Sequence, residues 1–482
     1  MLLPDANACY QALLSRDARF DGRFYVAVSS TGIYCRPVCR VRTPRRENCR
    51  FYPSAAAAEA AGYRPCLRCR PEQAPGLAAV DAGSRLAHAA VDLIEARLDE
   101  GWRVAQLADR VGVSTRHLRR LFQQTFGVSP SAYLASRRLQ VARQLLLGSA
   151  LPVSEVAQVA GFGSLRSFNA RFRACYRQAP GTLRRAAAPS DGSALFRLPV
   201  REPYDWPAMV GFLARRAIPA VEAVSGTGTA ATYRRLLRLG ADGGRVGWIE
   251  VGHETGALRL RVGPTLLAAL PAVLARVRQL LDVDCEPDEV AGRLGPLASA
   301  RPGLRLPGAV DGFETSVRAI LGQQVSVAAA RTLATRFAAQ LGQPVGTPWP
   351  ELSCTFPTPS EVASQPVDAL RAMGIMPARA RAILALAQAL DDGRLSLARH
   401  ADVDATRSAL LALPGIGPWT AEYVLMRALS WPDAFPVGDI GVHRALGLAN
   451  RSEVARTVAA WRPWRAYAVM HLWMRLEDEH GD

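Results

Sequence analysis

Four cysteines come in two close pairs, Cys35-x3-Cys39 and Cys66-x2-Cys69, and both pairs are set among arginines. Two short-spaced pairs joined by a loop have the spacing of a closed, tetrahedral zinc site. One Zn2+ with four thiolates carries a net charge of about −2, and the metal keeps each sulfur deprotonated at neutral pH. A thiolate is a nucleophile. Arg36, Arg40, Arg42, Arg45, Arg46, Arg64, Arg68 and Arg70 can bring a phosphate backbone to it. An alkylated, charge-neutral phosphate is the electrophile such a site could attack. A zinc site that only holds a fold has the same spacing, so the cysteines alone leave both readings open. Cys49, between the pairs, reads as a bystander.

A second constellation lies near the C-terminus. Leu413-Pro414-Gly415-Ile416-Gly417-Pro418-Trp419 separates two helical patterns, Asp404–Leu411 and Pro418–Leu429. Gly415 and Gly417 let backbone N–H groups at a helix start approach a phosphate, with no base preference. A tight turn between helices also uses glycines. Asp439 follows 22 residues after Gly417. It reads equally as an N-cap and as a reacting carboxylate, and the two roles are compatible. Trp419 and Tyr423 share one helix face, a spacing that core packing also uses.

The rest of the chain must position these groups. It has 482 residues, enough for two to four domains, and its 49% hydrophobic content allows true cores. All 59 basic residues are arginine. Residues 1–186 hold 28 Arg against 13 acids, a net +15, while the remainder nets +2. A basic excess confined to the first part is the footprint of a polyanion binder. The N-terminus lacks a secretory pattern and no run reaches membrane-spanning length, so we expect a cytoplasmic protein without a membrane partner. Thiols in a reducing compartment argue for metal binding over disulfides.

Helical patterns run from about Ala82 to Arg185, and Ala186–Ala194 reads as a linker. Strand-like runs such as Val246–Val251 and Leu258–Val262 follow, and the pattern is helical from about Pro302. Within the first helical region, apolar stripes break at Gly112 and Gly161, 49 residues apart. Each break is followed by a basic helix with a serine at its start, Ser114 or Ser164. Arg116, Arg119 and Arg120 face out of the first, and Arg166, Asn169 and Arg171 face out of the second, as in recognition helices. A helix over Pro130–Leu147 spans roughly 27 Å, near the spacing of successive major-groove faces. A plain basic surface hairpin is the alternative for either unit alone.

Residues 1–75 resemble the zinc domain of the Ada family of adaptive-response regulators. The resemblance rests on Asp21-Gly22-Arg23-Phe24, Thr31-Gly32-Ile33-Tyr34-Cys35-Arg36-Pro37, Arg46-Glu47-Asn48, Phe51-Tyr52 and Ala61-Gly62-Tyr63-Arg64-Pro65-Cys66-x-Arg68-Cys69. It implies that Cys35 accepts a methyl group from a DNA methylphosphotriester, with Thr31 and Arg68 contacting the triester. Ala160-Gly161-Phe162-x-Ser164-x3-Phe168-x3-Phe172 resembles the AraC-family helix-turn-helix. From about residue 195 the chain resembles helix-hairpin-helix DNA glycosylases of the AlkA type, through Arg318–Ser326, the Leu413–Ala421 hairpin, Asp439, Trp461–Ala468 and His471-x-Trp473. That resemblance implies a pocket of Trp419, Tyr423 and Trp473 for electron-poor alkylated purines, with Asp439 as the catalytic carboxylate. Gln324 stands where these glycosylases carry an apolar wedge, and Ile440 where they carry a pocket tyrosine. With no lysine, the chain lacks the side-chain amine of strand-cutting relatives. The Pro-Cys-His-Arg methyl-acceptor string of the usual Ada C-terminal domain is absent.

The expected fold is multidomain and mainly α with α+β parts. The parts are a zinc domain over 1–78, an AraC-type double helix-turn-helix over 79–186, a linker over 187–194, a mixed α/β subdomain over 195–300 and an all-α helix-hairpin-helix domain over 301–482. The expected partners are one Zn2+, double-stranded DNA and RNA polymerase, bound by a monomer. The rival reading is a transcription regulator with structural zinc and a C-terminal domain that binds damaged DNA without cutting it.

Overall fold

The computed structural model describes residues 5–17, 20–71, 74, 82–96, 98, 102–183, 191–239, 244–399 and 401–480. The expected boundary at 78/79 and the first half of the expected linker, 187–190, lie outside these residues. The chain forms two compact units: residues 1–202, 255–275 and 283–286 in one, residues 203–254, 276–282 and 287–482 in the other. Among the described residues no helix is long and apolar enough to cross a membrane.

The first unit opens with helix α1 (Ala6–Ser15), capped by the Asp5 carboxylate on two backbone N–H groups. A four-stranded sheet follows, ordered β3-β1-β2-β4, from β1 (Tyr25–Val28), β2 (Ile33–Cys35), β3 (Cys49–Tyr52) and β4 (Arg64–Pro65). β1 is antiparallel to β2 and β3, whereas β2 and β4 run parallel, with Tyr34 opposite Pro65. Between β3 and β4, helix α2 (Ala55–Ala60) carries alanine at five of six positions. Its buried alanines allow close packing. Pro53 and Ala57 leave no slack at Gly127, where a Cβ would sit 3.1 and 3.3 Å from them. The Ser54 hydroxyl donates to the Phe126 carbonyl at 2.6 Å in the same buried seam.

Helices α3 (Ala82–Ala96), α4 (Val104–Arg110), α5 (Thr115–Phe126), α6 (Pro130–Gly148), α7 (Val153–Val159) and α8 (Leu165–Tyr176) form the helical part. Ser114, Ser129 and Ser164 each cap a helix by accepting a backbone N–H three residues on, all at 3.2 Å. The α7–α8 turn requires glycine: Gly161 has φ +78°, and a Cβ there would lie 2.3 Å from the Leu98 carbonyl oxygen. Phe168, Phe172 and Tyr176 recur every fourth residue, all buried, with successive rings 5.3 and 4.5 Å apart. β5 (Ala194–Pro199) pairs antiparallel with β9 (Ala257–Val262) in this unit, so the C-terminal end of the expected linker already belongs to a strand.

The second unit holds an antiparallel meander of β6 (Glu222–Ser225), β7 (Thr232–Leu239) and β8 (Arg245–Glu254), with helix α9 (Trp206–Arg216) before it. Helices α10 (Leu270–Leu280), α11 (Pro287–Leu294) and α12 (Pro296–Ser299) lead to α13 (Gly312–Leu321), α14 (Val327–Leu341), α15 (Pro359–Ala363), α16 (Val367–Ala372) and α17 (Pro377–Asp391). Then come α18 (Val403–Leu411), α19 (Pro418–Arg427), α20 (Ile440–Leu446), α21 (Arg451–Ala459) and α22 (Arg465–His480). The protein is therefore multidomain and largely helical with small sheets.

A buried charge network ties α13 to the meander. Glu222 faces Arg318 and Arg235, Glu314 faces the same two arginines, and Tyr233 donates to Glu222. Burial alone would push the Glu222 carboxyl up, but Arg318 and Arg235 hold it below its ordinary value. A depressed carboxyl stabilises the fold above its unfolded value and gives that up as pH falls through the folded one. Glu222→Ala should therefore cost about 3–5 kcal/mol, by leaving two buried guanidinium groups on one carboxylate. Thermal unfolding at neutral pH measures this. The gap between variant and wild type should shrink on acidification below about pH 4. A variant melting like the wild type at pH 7 would show the network to be energetically idle.

Candidate functional sites: a thiol cluster, basic helices and an aromatic–carboxylate cluster

Strand register builds the first site. Parallel pairing of β2 and β4 sets Cys35 beside Cys66, and the Cys66 N–H donates to the Tyr34 carbonyl at 3.0 Å. A tight turn brings Cys39 back, its N–H donating to the Arg36 carbonyl at 3.1 Å. The four sulfurs of Cys35, Cys39, Cys66 and Cys69 lie within 4.8 Å of one another. Tetrahedral zinc, with bonds of about 2.3 Å, needs sulfurs about 3.8 Å apart. The donor set fits that ion. Backbone N–H groups of Arg36 and Arg68 point at Cys69 Sγ and Cys66 Sγ, each at 3.4 Å, and support anionic sulfur. Taken as thiols the four compete for protons: the hydrogen bond with Cys35 holds Cys66 well below the ordinary thiol range, and that with Cys39 pushes Cys35 up. Cys49 stays apart, buried with Cys9, Phe24 and Val26.

Of the residues read as phosphate contacts, Thr31, Arg40, Arg42, Arg45 and Arg68 are exposed. Arg36 is not available to a phosphate as the sequence suggested. It is 7% exposed and turned inward, its Nε donating to Asp21 Oδ1 at 2.7 Å and its Nη2 to Oδ2. A buried guanidinium needs a carboxylate, and Asp21 supplies it.

On the basic helices, Arg116, Arg119 and Arg120 of α5 and Arg166 and Arg171 of α8 are exposed, and Asn169 is half-buried. The Leu118–Phe122 and Phe168–Phe172 pairs hold the opposite faces in the core. Helix α6, 19 residues long, joins the two helix pairs.

The second unit gathers Trp419, Tyr423, Asp439 and Trp473. Gly417, exposed, precedes α19 with Pro418 at its first position, so Trp419 and Tyr423 leave the first two turns on one face. Their rings stack 5.2 Å apart at 12°, and Trp473 of α22 lies 6.3 Å from Tyr423. Asp439 caps α20, Oδ1 accepting the Val442 N–H at 2.8 Å. The same carboxylate accepts Trp473 Nε1–H on Oδ1 at 3.0 Å and Trp419 Nε1–H on Oδ2 at 2.8 Å. Asp439 is 8% exposed, whereas the adjoining Val437 and Ile440 are 55% and 68% exposed.

Gly415 has φ +77°, and its carbonyl accepts Gln323 Nε2–H at 2.9 Å. Gln323 Nε2 also reaches Thr420 Oγ1 at 3.1 Å, and Arg379 donates to its carbonyl. Gln324, next along, is exposed and left-handed, with φ +54°. The α13–α14 loop that presents Gln324 is thus bolted to the hairpin. Gln323 stood in the sequence analysis only as part of the Arg318–Ser326 stretch, with no role assigned to it. Sequence reasoning missed Gly441: a Cβ there would lie 3.1 Å from Asp439 Oδ1 and 3.2 Å from Trp473 Cδ1.

Four family models match successive parts of the chain: the metal binding domain of Ada over residues 8–72, a helix-turn-helix domain over 107–186, the AlkA N-terminal domain over 195–311, and the HhH-GPD superfamily of base excision DNA repair proteins over 317–458. The chain is 41% identical over 491 residues to the probable bifunctional transcriptional activator/DNA repair enzyme AlkA of Mycobacterium tuberculosis, covering 98% of this chain and 97% of that one. It is 40% identical to DNA-3-methyladenine glycosylase 2 of Escherichia coli, covering 58% of this chain and 96% of the relative. It is 38% identical to the bifunctional transcriptional activator/DNA repair enzyme Ada of Escherichia coli, covering 36% and 46%. A solved 3-methyladenine DNA glycosylase from Archaeoglobus fulgidus shares the fold over 60% of this chain, with TM-score 0.51 at 23% identity.

Gly441→Ala tests how tightly the indoles are held. The added methyl must push Trp473 off Asp439 or crowd the cap, at a cost of about 1–3 kcal/mol. We expect a lower unfolding temperature and an altered near-ultraviolet circular dichroism band from the indoles. An unchanged band would mean that Trp473 is not fixed on the carboxylate.

Proposed function

The chain belongs to the family of bifunctional transcriptional activator/DNA repair enzymes, and we propose that it excises alkylated purines such as 3-methyladenine from DNA while its thiol cluster senses backbone methylation. The observation that carries the first part is the grip of three N–H groups on Asp439 beside stacked aromatic rings. An enzyme acting on a base must take it out of the helix stack. N-alkylated purines are electron-poor, and the faces of Trp419, Tyr423 and Trp473 attract such rings. As the glycosidic bond breaks, its electron pair leaves with the base and positive charge grows on the sugar. An anionic, already oriented Asp439 stabilises that charge and guides the water that adds to it. Gly415 and Gly417 hold a phosphate of the strand, and Gln324 fills the gap left in the stack. Without a lysine there is no side-chain amine to form a Schiff base, so the expected product is an abasic site.

For the front half, Cys35, Cys39, Cys66 and Cys69 would hold zinc, which supplies deprotonated sulfur at neutral pH. Thr31 and Arg68 engage a methylphosphotriester. The Cys35 sulfur attacks the methyl carbon, a carbon–sulfur bond forms, the carbon–oxygen bond breaks, and the phosphodiester leaves as an anion. The cluster loses one negative charge and repels DNA less. Arg116, Arg119, Arg120, Arg166, Asn169 and Arg171 then read a promoter for RNA polymerase. The proposed division is the one expected from sequence, save that Ala194 belongs to β5 and not to the linker: zinc domain, DNA reader, linker, α/β subdomain and glycosylase domain.

Release of free base from methylated duplex DNA tests the first part. Wild-type protein should release it, and Asp439→Asn should lose at least a hundredfold in rate while still binding DNA. No release by folded wild-type protein would leave a damage-binding module instead. For the second part, incubation with methylphosphotriester DNA should add one methyl to Cys35, read by peptide mass. A Cys35 that stays unmodified would reduce the metal centre to a structural role.

A further inference from the structure

The first unit contains a chain of buried charges that neither reaction uses. It starts at the thiol cluster. Arg36 follows Cys35, its backbone N–H pointing at Cys69 Sγ and its Nη1 donating to the Cys69 carbonyl at 3.3 Å. Its guanidinium is spent on Asp21, which is 5% exposed. Two residues on, across Gly22 at φ +78°, Arg23 pairs with Glu286. Glu286 is 4% exposed and ends the short segment 283–286, immediately before α11. Arg201, 1% exposed, grips the same segment, donating to the carbonyls of Asp284 at 3.0 Å and Cys285 at 3.4 Å.

Two arginines thus hold one short turn, and one of them comes from the zinc domain more than 260 residues earlier in the chain. A charge buried as Glu286 is tolerated only with its partner in place, and half-buried Arg23 is that partner, so loss of Arg23 strands the carboxylate. Arg23 in turn sits one glycine from Asp21, whose hold on Arg36 depends on the ordered turn around Cys35. A zinc-thiolate domain of this size owes its order to the metal.

We propose that segment 283–286 is a docking site for this chain's own zinc domain, closed by the Arg23–Glu286 ion pair, so that order at the thiol cluster and order in the turn before α11 form one coupled equilibrium. The proposal rests on the reading of the four cysteines as a metal centre. Coupling of this kind is reciprocal: what loosens the turn weakens metal binding, and metal loss loosens the turn by the same factor.

The test uses the full-length, zinc-loaded protein, Arg23→Gln, Glu286→Gln and the swapped pair Arg23→Glu/Glu286→Arg. Zinc affinity is measured by competition with a chromogenic chelator, and hydrogen exchange is followed in peptides spanning 280–290. Glu286→Gln removes charge without changing size and touches no cysteine, yet it should weaken zinc binding on the order of tenfold. Arg23→Gln should do the same, and the swap should recover part of the loss. Removing zinc from the wild type should speed exchange across 280–290, with little further effect in Glu286→Gln. Wild-type zinc affinity in both single variants, or exchange at 280–290 indifferent to zinc, overturns the proposal. A protein that binds no zinc overturns the metal reading instead. Docking then stands if Arg23→Gln alone speeds exchange at 280–290, and falls if it does not.

Discussion

A carboxylate removed from water must be given hydrogen bonds, and the C-terminal architecture is arranged around one that is. Asp439 lies at the start of α20, where the backbone already offers an unpaired N–H. Two indoles supply the rest, one from α19 and one from α22. Each requirement propagates outward. Trp419 needs the helix start that Gly417 and Pro418 define. Trp473 needs a neighbour without a side chain, which Gly441 provides. The hairpin needs the α13–α14 loop, which Gln323 fastens to it and Arg379 fastens to α17. A carboxylate held this way is fixed in advance, so in the proposed excision little reorganisation remains for the reacting state.

The same economy governs charge elsewhere. Every basic residue is an arginine, whose planar fork can satisfy a carboxylate and a carbonyl together. Arg36 does so with Asp21 and Cys69, and Arg318 with Glu222, Glu314 and the Arg216 carbonyl. These are interior ties. The arginines of α5 and α8, by contrast, are left exposed and uncommitted to the core. The basic excess of the first 186 residues therefore divides into a structural share and a share available to a polyanion.

How much of this could be read in advance depended on distance along the chain. The cysteine pairs were legible because each pair is local. The caps at Ser114 and Ser164 were legible because a cap acts over three residues. The Gly415–Trp419 hairpin and Asp439 could be found for the same reason. Gly441 could not: its missing side chain matters only once α22 has brought Trp473 across from 32 residues away. Nor could the inward turn of Arg36, since nothing in an arginine-rich stretch marks which member meets Asp21. The three arginines of β7 obscured a strand whose buried Arg235 is matched by Glu222 and by Glu314, 79 residues later. Local chemistry was visible, whereas the partners that make buried charge tolerable were not.

The indole contacts to Asp439 have an optical side. Indole emission responds both to a carboxylate on its N–H and to an aromatic ring on its face. Two of the nine tryptophans, Trp419 and Trp473, belong to the proposed base pocket, and Trp419 already lies on Tyr423. The pocket thus carries its own fluorophores. Filling and emptying it can be followed in real time by intrinsic light, with no label on protein or DNA.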